Sequence, residues 1–190
     1  LTTLPRCFFA AEPVFAPTIG FDASTTGGGA WLCTGAHGPG TVDAFLSTSW
    51  DAADMKLLQA ARNDPAFQAI WEAYALLIAV STWVDRLPMA RCKLQLRGDA
   101  LGVLQSVFAR RARCPVINAM IAEMQLVLGH TLYDAFASHV WSEKNELADQ
   151  LSRLDEGGSI PEACVDIVAS VPVRRKWRFL PVKSGSTDDS

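Results

Sequence analysis

The chain is short of the residues that would make several functions easy to recognise. Its five cysteines, Cys7, Cys33, Cys92, Cys114 and Cys164, are scattered, and no two form a CxxC pair. Such spacing builds neither a zinc site nor a disulfide framework, and a reducing compartment suits it. Charge is scarce too: 19% of the 190 residues are charged and the net charge is −3. That weighs against a protein that coats nucleic acid by bulk positive charge, although a carboxylate-rich metal site lowers the charge by itself. There is no glycine-rich phosphate loop, no nucleophile motif and no internal repeat. No basic stretch followed by an apolar one marks a signal peptide, so an intracellular location is expected. In AFQAIWEAYALLIAVSTWV, Gln68 and Glu72 interrupt the apolar run, and the part after Glu72 is too short for a membrane span. No membrane partner is expected.

Apolar residues, by contrast, make up 49% of the chain, enough for one well-buried core. Residues 1–16 read as a leader or the end of a preceding domain, in a segment of a longer chain. Three strand-like runs follow, about Thr18–Ser24, Gly29–Gly35 and Thr41–Ser47. The links between them, Thr25–Gly28 and Ala36–Gly40, are short enough to demand an antiparallel meander. Ser49–Arg62 reads as a short helix with Asp51 and Asp54 in its first turn. Asp64 and Pro65 open a second helix, to about Val84, which packs on the sheet. Cys92–Gly98 alternates as a fourth strand. Helices run from Asp99 to about Arg110 and from Pro115 to near Gly129, and Leu132–Val140 is a fifth strand. In HVWSEKNELADQLSRL the strand ends, a loop follows, and Leu147, Ala148, Leu151 and Leu154 recur at helical spacing. The expected domain is thus 17–154, a mixed α/β fold with a five-stranded sheet flanked by helices. Residues 155–190, with Gly157-Gly158 and a basic run at Arg174–Arg178, read as a loosely packed or partly disordered tail.

Four acids stand out against this frame. Asp22 is in or at the end of the first strand, Glu72 on the apolar helix, Asp99 at the end of the fourth strand and Asp149 on the last helix. Each alone has a bland reading: a strand-end turn for Asp22, a helix N-cap for Asp99, a pair with Arg153 for Asp149. Glu72 is hardest to explain so, because no basic residue lies within a helical turn of it. Four converging carboxylates repel unless cations neutralise them. Hard divalent ions with oxygen ligands do this, Mg²⁺ usually, and a pair of them suits in-line displacement at a phosphodiester.

Four stretches then resemble one family, the ribonuclease H-like domain of retroelement reverse transcriptases of the long-terminal-repeat and tyrosine-recombinase kinds. FDASTTGGGAWL resembles its first acidic motif and hairpin, WEAYALLIAVSTW the helix bearing the Glu, and LQLRGDALGVLQSV the strand-end Asp with its helix. HVWSEKNELADQLSRL resembles the closing H-V-x-x-x-N-x-x-A-D-x-L-S-R motif, the most specific of the four. Ala100 stands where the family often has Asn or Ser, and Trp141-Ser142 where it often has Pro-Gly. The resemblance implies a ribonuclease H-like fold and an endoribonuclease that cuts the RNA strand of RNA–DNA hybrids. It implies two Mg²⁺ ions, with Mn²⁺ as a possible substitute, on Asp22, Glu72, Asp99 and Asp149. His139 would assist proton transfer or product release. A reverse transcriptase domain would precede this one in the same polyprotein. The alternative is a catalytically inactive module of the same fold that binds nucleic acid or acts as a scaffold.

Nucleic-acid contacts are expected from backbone amides at the Gly27–Gly29 turn, Gly28 in particular, and from Asn145, which shares a face with Asp149. Arg110, Arg111 and Arg113, between two helices, either touch phosphates or form a solvated helix end. Trp141 either stacks on a nucleotide or covers the core.

Overall fold

A computed structural model describes residues 16–38, 40–87, 93–129, 134–139, 144–174 and 177–181, with the backbone alone for 134–139. The leader, Trp141, the His139 side chain and the terminal SGSTDDS lie outside the described residues. Strands β1 (Thr18–Ala23), β2 (Gly27–Cys33) and β3 (Ala44–Ser49) form the expected antiparallel meander. β4 (Lys93–Gly98) joins β1 in parallel, and β5 (Asp134–His139) joins β4 in parallel. The five-stranded order is β3-β2-β1-β4-β5.

β2 begins earlier than its composition suggests. The turn is tighter than expected: the Ser24 N–H donates to the Gly27 carbonyl at 2.8 Å, and Gly28 already pairs with Ala23 and with Thr48. Gly28 is therefore not a turn residue presenting its amide to a ligand. The glycines serve packing instead. A Cβ at Gly28 would lie 2.5 Å from the Trp50 ring, and one at Gly29 would lie 2.3 Å from the Ser152 backbone nitrogen. Successive strand residues face opposite ways, so the two glycines admit close neighbours on opposite faces of the sheet.

On the Gly28 face lies α2 (Gln68–Trp83), entered through a 3-10 turn at Pro65–Phe67. As the sequence suggests, Asp64 caps that turn, its carboxylate accepting from the Ala66 N–H at 2.9 Å. By length and composition Pro65–Arg86 is apolar enough to cross a membrane. Every residue from Trp71 to Ser81 is instead buried within the domain, against β1, β2 and a further helix, α4 (Pro115–Gly129). An all-round apolar helix needs partners on every side, and here it has them. Trp50 stacks on Trp71 with ring centroids 5.0 Å apart. α1 (Ala52–Leu58) is shorter than expected because Gln59 turns left-handed at φ 52°; Asp51 is its N-cap, in a capping box with Asp54. α3 (Leu101–Phe108) follows β4. On the Gly29 face sits α5 (Glu146–Ser152), with Ala148 and Leu151 buried as the helical spacing implies.

Where a loosely packed tail was expected, the C-terminal segment is docked at several of its described residues. Cys164, Trp177 and Leu180 are buried. The Arg174 guanidinium reaches Asp54 at 3.0 Å, Thr48 Oγ1 at 2.7 Å and the Ser49 carbonyl at 2.6 Å. Ser170 donates its N–H to the Phe45 carbonyl at 2.7 Å. The polar composition hid this docking, because Arg174 answers a buried acid supplied by a distant part of the chain.

Candidate metal centre

Pairing positions the first two acids. β1 runs parallel to β4 with Gly20 opposite Arg97, so two residues further on both chains reach Asp22 and Asp99. Glu72 comes to the same place from α2. One carboxylate oxygen from each of Asp22, Glu72 and Asp99 lies within 4.8 Å of the other two. Asp22 and Glu72 are each 5% exposed. Asp99 is not a helix cap: α3 starts after Ala100 and carries no side-chain cap.

The electrostatics are those of carboxylates short of positive charge. Burial pushes the Asp22 carboxyl up to about 7, against the opposing hydrogen bond from Ser152, and the charges of Asp99 and Asp149 push the same way. Burial, and then the Asp22 charge, raise Glu72 well above the usual carboxylate range. Glu72 Oε1 accepts from the Gln68 side-chain amide at 2.9 Å. Its Oε2 is buried and has no hydrogen-bond partner among the described residues. A buried, bare carboxylate oxygen costs free energy unless something completes it. Beside two further carboxylates, a hard divalent cation fits this oxygen in charge and in ligand type.

Asp149 does not join the three. It lines the same cleft of about 620 Å³, together with Arg153, and its Oδ1 accepts from Arg153 Nε at 2.8 Å. The pair raised for it from spacing is therefore formed, and the four-acid cluster becomes three acids with the fourth at the rim. The expected role of Asn145 is also corrected. It is 3% exposed, and its amide donates to the Phe21 carbonyl at 3.1 Å, tying the start of α5 to β1. An amide so committed is not presented to a ligand. Arg110, Arg111 and Arg113 are exposed. Arg111 and Arg113 line a second groove of about 710 Å³, which shares Ala69, Gly102 and Val103 with the acidic cleft. Arg110 instead closes α3 with a left-handed φ of 54°. The backbone of His139 lies opposite Gly98, one residue before Asp99.

Two contributors escaped the sequence reading. Gln68 stands four residues before Glu72, a spacing that puts both on one helix face and was there to be used. Ser152, whose hydroxyl reaches Asp22 Oδ2 at 2.8 Å, is the Ser of the closing L-S-R motif, but a serine at a helix end carries no role by itself.

No protein-family model and no curated protein sequence matches the chain. Solved structures do. The N-terminal RNase H domain of a Mycobacterium tuberculosis protein, solved as a fusion with maltose-binding protein, matches with TM-score 0.50 and 17% identity, covering 72% of this chain and 95% of that one. RNase H1 from the halophilic archaeon Halobacterium salinarum matches with TM-score 0.50 and 19% identity, covering 74% and 97%. LC11-RNase H1, solved with an RNA/DNA hybrid, matches with TM-score 0.52 and 15% identity, covering 72% and 91%. The chain has an RNase H-like fold, a five-stranded mixed sheet flanked by helices.

Proposed function

We propose that the chain is a divalent-metal-dependent endoribonuclease that cuts the RNA strand of RNA–DNA hybrids, as the RNase H domain of a retroelement polyprotein. The observation that carries this reading is the bare, buried Glu72 Oε2 beside Asp22 and Asp99. It gains weight from the fold, which is shared with RNase H enzymes, one of them solved with a hybrid. Bound there, Mg²⁺ or Mn²⁺ would supply an activated water and charge stabilisation at the scissile phosphate. Asp22, Glu72 and Asp99 would hold the first ion, and Asp149 at the rim would help hold a second. His139 would move a proton or ease product release, a role supported by its register opposite Gly98. Arg111 and Arg113 would take backbone phosphates along the groove that continues from the acidic cleft. The retroelement setting, with a reverse transcriptase domain preceding this one, rests on the four motifs, above all HVWSEKNELADQLSRL.

One observation favours a second reading, a catalytically silent hybrid-binding module: Asp149 is engaged by Arg153 rather than by the acidic cluster. A gel assay on labelled RNA–DNA hybrid, RNA duplex and DNA duplex, with Mg²⁺ and with chelator, separates the two. Hybrid-selective, chelator-sensitive cleavage of the RNA strand is expected. Hybrid binding that is equally tight with chelator, without cleavage, would establish the silent module.

A further inference from the structure

The last turn of α5 touches the sheet more closely than ordinary helix packing allows. Gly29 leaves no side chain between them. Gly27 does the same near the Ser152 carbonyl, which a Cβ there would approach to 3.0 Å. The Ser152 carbonyl also accepts from Ser24 Oγ at 3.2 Å. At this separation a side chain as short as serine spans the gap, and Ser152, fully buried, sets its hydroxyl 2.8 Å from Asp22 Oδ2. The hydroxyl has a second acceptor in range, the Asp149 carbonyl at 2.9 Å. Its single proton goes to the stronger acceptor, and Asp22, ionised when it holds a cation, outranks a neutral carbonyl.

We infer that Ser152 is a positioning residue for the metal centre: by holding Asp22 Oδ2 it fixes the carboxylate group in the orientation that keeps one of its oxygens beside Glu72 and Asp99. This rests on the metal reading proposed above and adds to it the residue that orients one ligand. Asp22 sits at a strand end, where its side chain can rotate about two bonds, and a ligand free to turn binds a cation less tightly than one held in place. Hydrogen bonds that orient metal ligands are typically worth ~10–100-fold in metal affinity. The glycines at 27 and 29 belong to the same device, since a side chain at either would lift α5 and carry the hydroxyl away from Asp22.

Mn²⁺ binding by calorimetry on the whole chain, with the thermal midpoint read in chelator and in saturating Mg²⁺, tests this without recourse to cleavage. Ser152→Ala should weaken Mn²⁺ binding by ~10-fold or more and shrink the rise in midpoint that Mg²⁺ produces. Ser152→Cys, with a weaker donor on a similar frame, should fall between. Ser24→Ala removes a contact to the same turn without touching Asp22; it should lower both midpoints alike and leave Mn²⁺ affinity within twofold of wild type. Ser152→Ala that binds Mn²⁺ like wild type would overturn the inference, as would Ser24→Ala that loses affinity equally. A wild-type chain that takes up no Mn²⁺ overturns the metal reading itself, and this is seen before any variant is compared.

Discussion

Asp54 and Glu72 are both buried beside α2, at 3% and 5% exposure, and the protein treats them in opposite ways. Asp54 is fully answered. Its Oδ1 accepts from the Tyr74 hydroxyl at 2.8 Å, and its Oδ2 from the Asp51 N–H at 3.1 Å and from Arg174 at 3.0 Å. Burial and the Asp54 charge push the Tyr74 hydroxyl upward, so it remains a donor. Glu72 Oε1 has the Gln68 amide, whereas its buried Oε2 has no hydrogen-bond partner among the described residues. Tyr74 and Glu72 are two residues apart, so nearly opposite sides of one helix carry the two solutions. A chain that recruits an arginine from its C-terminal segment for one acid had the means to answer the other. That it did not supports the proposed role of Glu72 as a cation ligand, in contrast to the structural carboxylate of Asp54.

The contrast breaks most sharply by removing the unanswered acid. Glu72→Gln should abolish metal-dependent cleavage of hybrid while leaving the metal-free midpoint unchanged or higher, since one repelling charge is gone. Gel assays and melts in chelator read the two effects. Normal cleavage with a collapsed midpoint would show that Glu72 belongs with Asp54 as a structural group.

Removing the answer to the other acid should do the reverse. Arg174→Ala strands a buried Asp54 and should cost roughly 3 kcal/mol in urea unfolding, the low end for a broken buried pair because the arginine is partly exposed. Adding Asp54→Asn should recover part of that. Cleavage well below the melting temperature should be unaffected.

A pH series on metal-free protein sharpens the comparison further. In the unfolded chain Asp22 gives up its proton near 3.8, and in the folded chain near 7. Below the lower value both states hold the proton and its contribution is intact. As pH rises through the window the unfolded state releases the proton first, so stability falls by as much as ~4 kcal/mol. Asp22→Asn should flatten that slope, and saturating Mg²⁺ should oppose it. Metal-free stability that rises steadily from pH 4 to 7 would contradict the burial of a bare carboxylate here.

Asp149→Asn should have the smallest effect on the fold. Its pair with Arg153 is an exposed one at helical spacing, ~0.3–0.5 kcal/mol. Its effect on Mn²⁺ affinity should be smaller than that of Asp22→Asn, and calorimetry on the two variants ranks them. Equal losses would return Asp149 to the central cluster.

These regions also differ in how far they could be read from the sequence. The meander, the buried helix and the closing helix were legible because alternation, apolar spacing and the Asp64-Pro65 start are local signals. Asp22, Glu72 and Asp99 were legible because an acid in an apolar setting is costly wherever the chain takes it. The sorting of Asp149 from those three was not, since it depends on whether Arg153 folds back by one turn. Asn145 misled because a polar side chain near a site has the same sequence signature whether it meets a ligand or a backbone carbonyl. Gly27 and Gly28 looked like a turn, since glycine reports only that no side chain fits, and the backbone and rings that exclude one come from elsewhere. The docking of the C-terminal segment was hidden for the same reason: neither Asp54 nor Arg174 announces the other.

The docked segment has a bearing on how the molecule behaves among its own copies. β3 is an outer strand of the sheet, and an outer strand offers its free backbone groups to any other strand that comes alongside. Here the Phe45 carbonyl is taken by Ser170 and the Ser49 carbonyl by Arg174. The segment therefore works as a blunt border, too irregular to be extended by another strand. A chain shortened before Ser170 would present that border uncovered, and the expected first sign is more self-association through β3 than the full chain shows at the same concentration.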